Sequence, residues 1–176
     1  FLLITCVISI YYFNKYIQSR NFMDLTKSDL KYKIEGKLIH EKLQSLKWIT
    51  YRSEKKPLKE ISELNNVIEI IRNDKSNKAL ITDYQFISVI LGINDNSPSK
   101  YWYDYHVYPT EDHKLYDFYK KFFIEALRKE KIEKIFVIKP LAGDQNIVEK
   151  IFKNKCYSKK IKTDILDVYN IDDCLN

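Results

Sequence analysis

Apolar and polar positions change period along the chain, and the changes mark out its elements. The uncharged run Ala79-Leu80-Ile81 stops abruptly at Thr82-Asp83. Phe86, Ile87, Ile90 and Leu91 then recur with helical spacing, and Gly92 stands where a helix C-cap glycine would stand. The stretch predicts a buried strand feeding straight into a helix, the elementary unit of an α/β sheet.

The remaining chain extends that pattern. Tyr32 to His40 predicts a strand with Gly36 as a bulge or turn, and Leu46 to Tyr51 alternates and is rich in β-formers. Pro57 opens a helix whose stripe is Ile61, Leu64, Ile68 and Ile71. Asn94 to Ser99 is a loop by its turn residues, and the aromatic run Tyr101 to Pro109 is expected to be extended. Glu111 to Lys131 predicts a helix with Leu115, Phe118, Phe122, Phe123, Ala126 and Leu127 along one face. Lys134 to Lys139 is a buried strand ended by Pro140, and Asp144 can cap a helix carrying Ile147, Val148, Ile151 and Phe152. A last strand is expected within Lys160 to Ile171. Strand and helix alternate at least four times, which predicts a three-layer α/β domain with a largely parallel sheet covered by helices on both faces.

Phe1 to Phe13 breaks the pattern, with no charge and no helix breaker. It is too short to span a bilayer, which takes about 20 residues. The chain starts inside the run, with Phe rather than Met, and so reads as a fragment beginning in a truncated transmembrane helix over 1–17. Tyr11, Tyr12 and Tyr16 fit an interfacial aromatic belt, and Lys15 and Arg20 fit the exit into water. A polar juxtamembrane linker over 18–31 then precedes a soluble domain over 32–176.

Composition adjusts this picture only a little. The 176 residues carry a net charge of +6, but arginine stands only at Arg20, Arg52, Arg72 and Arg128, and the lysines are interspersed with glutamates. Nucleic-acid recognition favours arginine forks on clustered basic faces, so no nucleic-acid partner is expected. Cys156 and Cys174 flank the last strand. They would pair in an oxidising compartment and remain two thiols in a reducing one.

In an open sheet, ligands bind outside the carboxyl ends of the strands. Those ends offer Thr50; Thr82, Asp83 and Gln85; and Lys139. Asp83 could bind a sugar hydroxyl, a metal or a proton in transit, or it could simply cap the helix beginning at Tyr84, the commoner task of an aspartate there. No glycine fingerprint for phosphates, nucleophile elbow or zinc motif is present, so no cofactor is expected and no catalytic residue is assigned. Asp104, His106, Asp112 and His113 have metal-ligand chemistry, but their spacing matches no standard site.

Four stretches, Leu46 to Thr50, Leu80 to Phe86, Ser97 to Trp102 and Lys134 to Ile138, carry a family likeness. With them, the chain resembles the soluble C-terminal region, with the last membrane helix, of bacterial GT-C-type membrane glycosyltransferases that use polyprenyl-phosphate sugars. The resemblance implies a non-catalytic, extracytoplasmic accessory domain at the bacterial inner membrane, on the periplasmic side. It implies a Cys156–Cys174 disulfide, and it implies as partners the bilayer, the upstream membrane domain and a lipid-linked sugar or glycan acceptor. The catalytic acid of that family lies in an early loop that has no counterpart here. The rival expectations are a membrane-anchored enzyme with its site around Asp83, or an interaction module.

Overall fold

The computed structural model describes residues 2–18, 30–50, 55–99, 108–139, 141, 144–152 and 156–175. The expected extended aromatic run lies largely outside them. Two compact units are present, residues 1–64 and 65–176.

In the first unit, helix α1 (Leu2–Tyr12) continues as a π-helical stretch over Phe13–Gln18. Its apolar side chains are exposed, among them Leu3 at 80% and Val7 at 65%. No helix among the described residues is long and apolar enough to cross a membrane. Beyond it, β1 (Ile34–Glu35) and β2 (Lys47–Trp48) form a small antiparallel pair. Both strands are much shorter than the alternation of their segments predicts. Gly36 is the reason on the β1 side: its N–H donates to Leu46 O at 2.8 Å, and the backbone there turns into a 3-10 helix, Gly36–Leu38. A Cβ on Gly36 would lie 2.7 Å from Leu43 O, so only glycine fits this close approach.

Helix α2 (Pro57–Asn73) starts on its proline, and all four stripe residues, Ile61, Leu64, Ile68 and Ile71, are buried. Lys78 closes its other end by donating to Ile71 O at 3.1 Å, a lysine where the helix dipole prefers a cation.

The second unit is built on a four-stranded sheet of β3 (Lys78–Ile81), β4 (Lys134–Ile138), β5 (Ser158–Thr163) and β6 (Leu166–Asn170), in the order β3-β4-β6-β5. Its pairing corrects the largely parallel expectation. Only β3 and β4 are parallel; β4–β6 and β6–β5 are antiparallel, so the sheet is mixed. The single last strand expected from Ile161, Ile165, Leu166 and Val168 is a hairpin. Thr163 Oγ1 accepts from Ile165 N at 3.3 Å, and the chain reverses over Asp164 and Ile165. A two-residue reversal can only join antiparallel strands.

The opening block folds as its pattern predicts. β3 is buried along Ala79, Leu80 and Ile81, α3 (Phe86–Leu91) follows, and Gly92 caps it at φ 64° in the left-handed region. Helix α4 (Tyr116–Lys129) begins five residues later than expected, after a turn over residues 111–115. Its buried side is Tyr116, Phe123 and Leu127, whereas Leu115, Phe118 and Phe122 are exposed. Three phenylalanines at mixed helical spacings offer two overlapping stripes, and only packing chooses between them. α5 (Ile147–Ile151) and α6 (Asp172–Leu175) complete the chain.

One buried cluster joins Ala79, Ile81, Ile135, Val137 and Tyr169 of the sheet to Phe123 and Leu127 of α4 and to Ile147, Val148 and Ile151 of α5. Cys156 and Cys174 are disulfide-bonded, with Cα atoms 5.1 Å apart, and pack against this cluster.

Candidate functional site

Of the strand-end residues, Thr50 belongs to the first unit. Its hydroxyl donates to Glu60, lying 3.0 and 2.8 Å from the two carboxylate oxygens, and Trp48 Nε1 donates to Oε2 of the same group at 3.2 Å. Glu60 is only 5% exposed, so these donors satisfy a carboxylate that would otherwise be costly to bury. Thr50 is therefore committed to holding its own unit together.

Thr82, Asp83 and Gln85 form the turn between β3 and α3. Thr82 Oγ1 accepts from Tyr84 N at 3.0 Å, and Gln85 Nε2 donates back to Thr82 O at 2.5 Å. Asp83 does not cap α3. The helix starts at Phe86 and its N-cap is Gln85, whose own side chain makes no capping hydrogen bond. The reason is local: the Thr82 hydroxyl takes the turn's N–H and delays the first helical residue.

Lys139, just past β4, reaches Asp167 of β6, with Nζ 2.8 Å from Oδ2. Asp167 carries no signal in the sequence, because it alternates with apolar residues as a solvent-facing residue would. It is 1% exposed. A second lysine, Lys159 of β5, lies 3.2 Å from the same oxygen and 2.7 Å from Glu149 Oε1 of α5. Tyr169 OH donates to that Glu149 oxygen at 2.9 Å, and the Lys159 ammonium sits 5.2 Å from the Tyr169 ring centroid. Four residues of β5, β6 and α5 and the residue just past β4 thus share one network.

Its electrostatics follow from these contacts. Hydrogen bonds from Lys159 and Tyr169 hold the Glu149 carboxyl below its usual range. Burial would lower Lys159, but its bonds to Glu149 and Tyr169 more than offset this and hold it above an ordinary lysine. Burial, with the bond to Glu149, pushes the Tyr169 phenol up to about 12. Glu149, Lys159 and Tyr169 are each driven toward the protonation state they already have at neutral pH. That suits a structural network, because a general acid or base needs a pKa near the working pH.

Asp112 and His113 serve their own turn. Thr110 Oγ1 donates to Asp112 Oδ1 at 2.5 Å, and His113 Nδ1 accepts from Leu115 N at 3.2 Å. Asp104 and His106 lie outside the described residues. Among the described residues, no three metal-binding side chains group together.

No protein-family model, curated protein or solved structure matches this chain. The functional reading therefore rests on the residues themselves.

Proposed function

We propose that the chain is a membrane-tethered, extracytoplasmic accessory domain of a larger glycosyltransferase-like membrane protein, with no catalysis of its own. The observation that carries the tether is α1, in which every described side chain from Leu2 to Tyr12 is exposed although most are apolar. Such a surface is stable in a bilayer and costly in water, so α1 belongs to a membrane-embedded helix. The Cys156–Cys174 disulfide supports an oxidising compartment. The commitment of Thr50, Thr82 and Gln85 to local bonds supports a handling role over chemistry. A three-layer arrangement goes with this reading. It is supported by Phe136 and Val168, which alternate with the clustered sheet residues and line a groove with Ile70 of α2.

The test is fractionation and thiol labelling of the full chain. Carbonate-washed membranes should retain it, and I4D/I8D should release it. Maleimide added to the denatured, unreduced chain should label Cys6 alone. A carbonate-soluble chain, or two further reactive thiols, would contradict the proposal.

A second reading, an interaction module, is favoured by the exposed stripe of Phe118 and Phe122 on α4 with Leu115 at its N-cap. In that case F118S/F122S should abolish co-purification with the other membrane protein it binds while leaving membrane retention intact.

A further inference from the structure

The edge strand β5 is neutralised on one side and not on the other. Toward α5, Lys159 is bound by Glu149 and Asp167. Lys160 and Lys162 belong to the opposite side; both are exposed, and among the described residues neither has a carboxylate within ion-pair distance. The strand register extends this side across the sheet. Ser158, Asn170 and Lys134 form one row, and Lys160, Val168 and Phe136 form the next. Together with Ile70 and Asn73 of α2 these residues enclose a groove of about 290 Å³, with Lys162 on its rim.

Among the described residues its one carboxylate, Asp74, is already taken. Asp74 Oδ2 is 2.7 Å from Lys134 Nζ, and its Oδ1 accepts from Ser76 N at 2.9 Å. The groove therefore holds three ammonium groups, of which Lys134 is paired with Asp74 and Lys160 and Lys162 are not, with the hydroxyl of Ser158 as a neutral donor. Lysines on an edge strand commonly serve only to discourage pairing with another chain. That purpose asks neither for a concave site nor for a third lysine two strands away.

We infer that this groove binds the phosphate of a phosphate ester, held by Lys160 and Lys162 with the Ser158 hydroxyl completing the oxygen contacts. Ammonium groups bind phosphate as point charges, and neutral donors fix its orientation. The inference stands on the second unit alone and does not depend on the membrane reading.

The experiment titrates the full chain in nonionic micelles at low ionic strength, with inorganic pyrophosphate in one arm and micellar phosphatidic acid in the other. Saturable binding of either probe is expected, with K160Q/K162Q weakening it by at least about tenfold at an unchanged melting temperature. K114Q/K121Q removes the same charge on α4 and in the turn before it, and should keep wild-type affinity. Selective loss in the pyrophosphate arm indicates a soluble phosphate ester, and loss in the phosphatidic acid arm alone indicates a lipid headgroup. No saturable binding of either probe, or equal weakening by the two double variants, overturns the inference.

Discussion

Asp167 and Lys139 meet at 2.8 Å, a carboxylate 1% exposed against an ammonium that still reaches water. The contact exists because the β5–β6 hairpin turns β6 antiparallel to β4, setting Asp167 opposite Val137. Lys139 lies two residues past Val137 on the same side of β4, and Lys159 approaches from β5. Two lysines thus share one buried charge.

That sharing predicts a non-additive pair of substitutions. Either K139A or K159A leaves Asp167 with one ammonium and should cost about 1 kcal/mol. The double variant strands a buried carboxylate and should cost about 3–5 kcal/mol. A urea double-mutant cycle measures the excess, and simple additivity would show that the pair does not share the load.

The disulfide closes a separation of 18 residues. Loop-closure arithmetic then gives a loss of about 3 kcal/mol for C156S/C174S. Denaturant midpoints with and without reductant check it. Wild type under reductant should match the double variant, and a much smaller gap would mean that the unfolded chain is already restricted there.

The two structural glycines should respond differently. Gly92 has a positive φ of 64° and nothing within 4 Å of an added Cβ, so G92A costs only the left-handed backbone, about 1–2 kcal/mol. G92N should recover part of it. G36A instead meets Leu43 O at 2.7 Å and Leu46 O at 3.0 Å, so the β1–β2 loop must shift. Overpacking of that kind costs about 1–3 kcal/mol, and it should broaden the amide resonances of that loop while leaving those of the four-stranded sheet sharp.

Acid should weaken the α2–β4 tie. Asp74 is partly buried, which opposes ionisation, but hydrogen bonds from Lys134 and Ser76 hold its carboxyl down to about 2. A carboxyl depressed in the folded state stabilises fully above its unfolded value near 4 and loses that contribution as pH falls through about 2. With solvent screening the loss should be about 1 kcal/mol. Unfolding followed from pH 5 to 2 should show a shallower acid slope in D74N, and equal slopes would count against the assignment.

Glu60 offers a fluorescent readout in the first unit. E60A leaves Trp48 Nε1 and Thr50 Oγ1 without their shared acceptor and should cost about 1–3 kcal/mol. Trp48 emission should shift to the red. An unchanged spectrum would mean that the indole keeps its environment without the carboxylate.

By itself the sequence determined the elements whose signals are local. The α2 stripe beginning at Pro57, the run from Ala79 through Gly92 and the buried β4 all follow from spacing and from single residues with special backbone chemistry. It also marked Cys156 and Cys174 as the pair to watch, leaving their state open. Only the tertiary structure decided strand direction, because a two-residue turn at Asp164–Ile165 carries a weaker signal than the apolar residues on either side of it. Packing alone chose which face of α4 is buried. The Asp167 network and the lysine groove were out of reach for the same reason. Their partners stand on different strands and helices, and their chemistry arises where the sheet register brings distant side chains to one face.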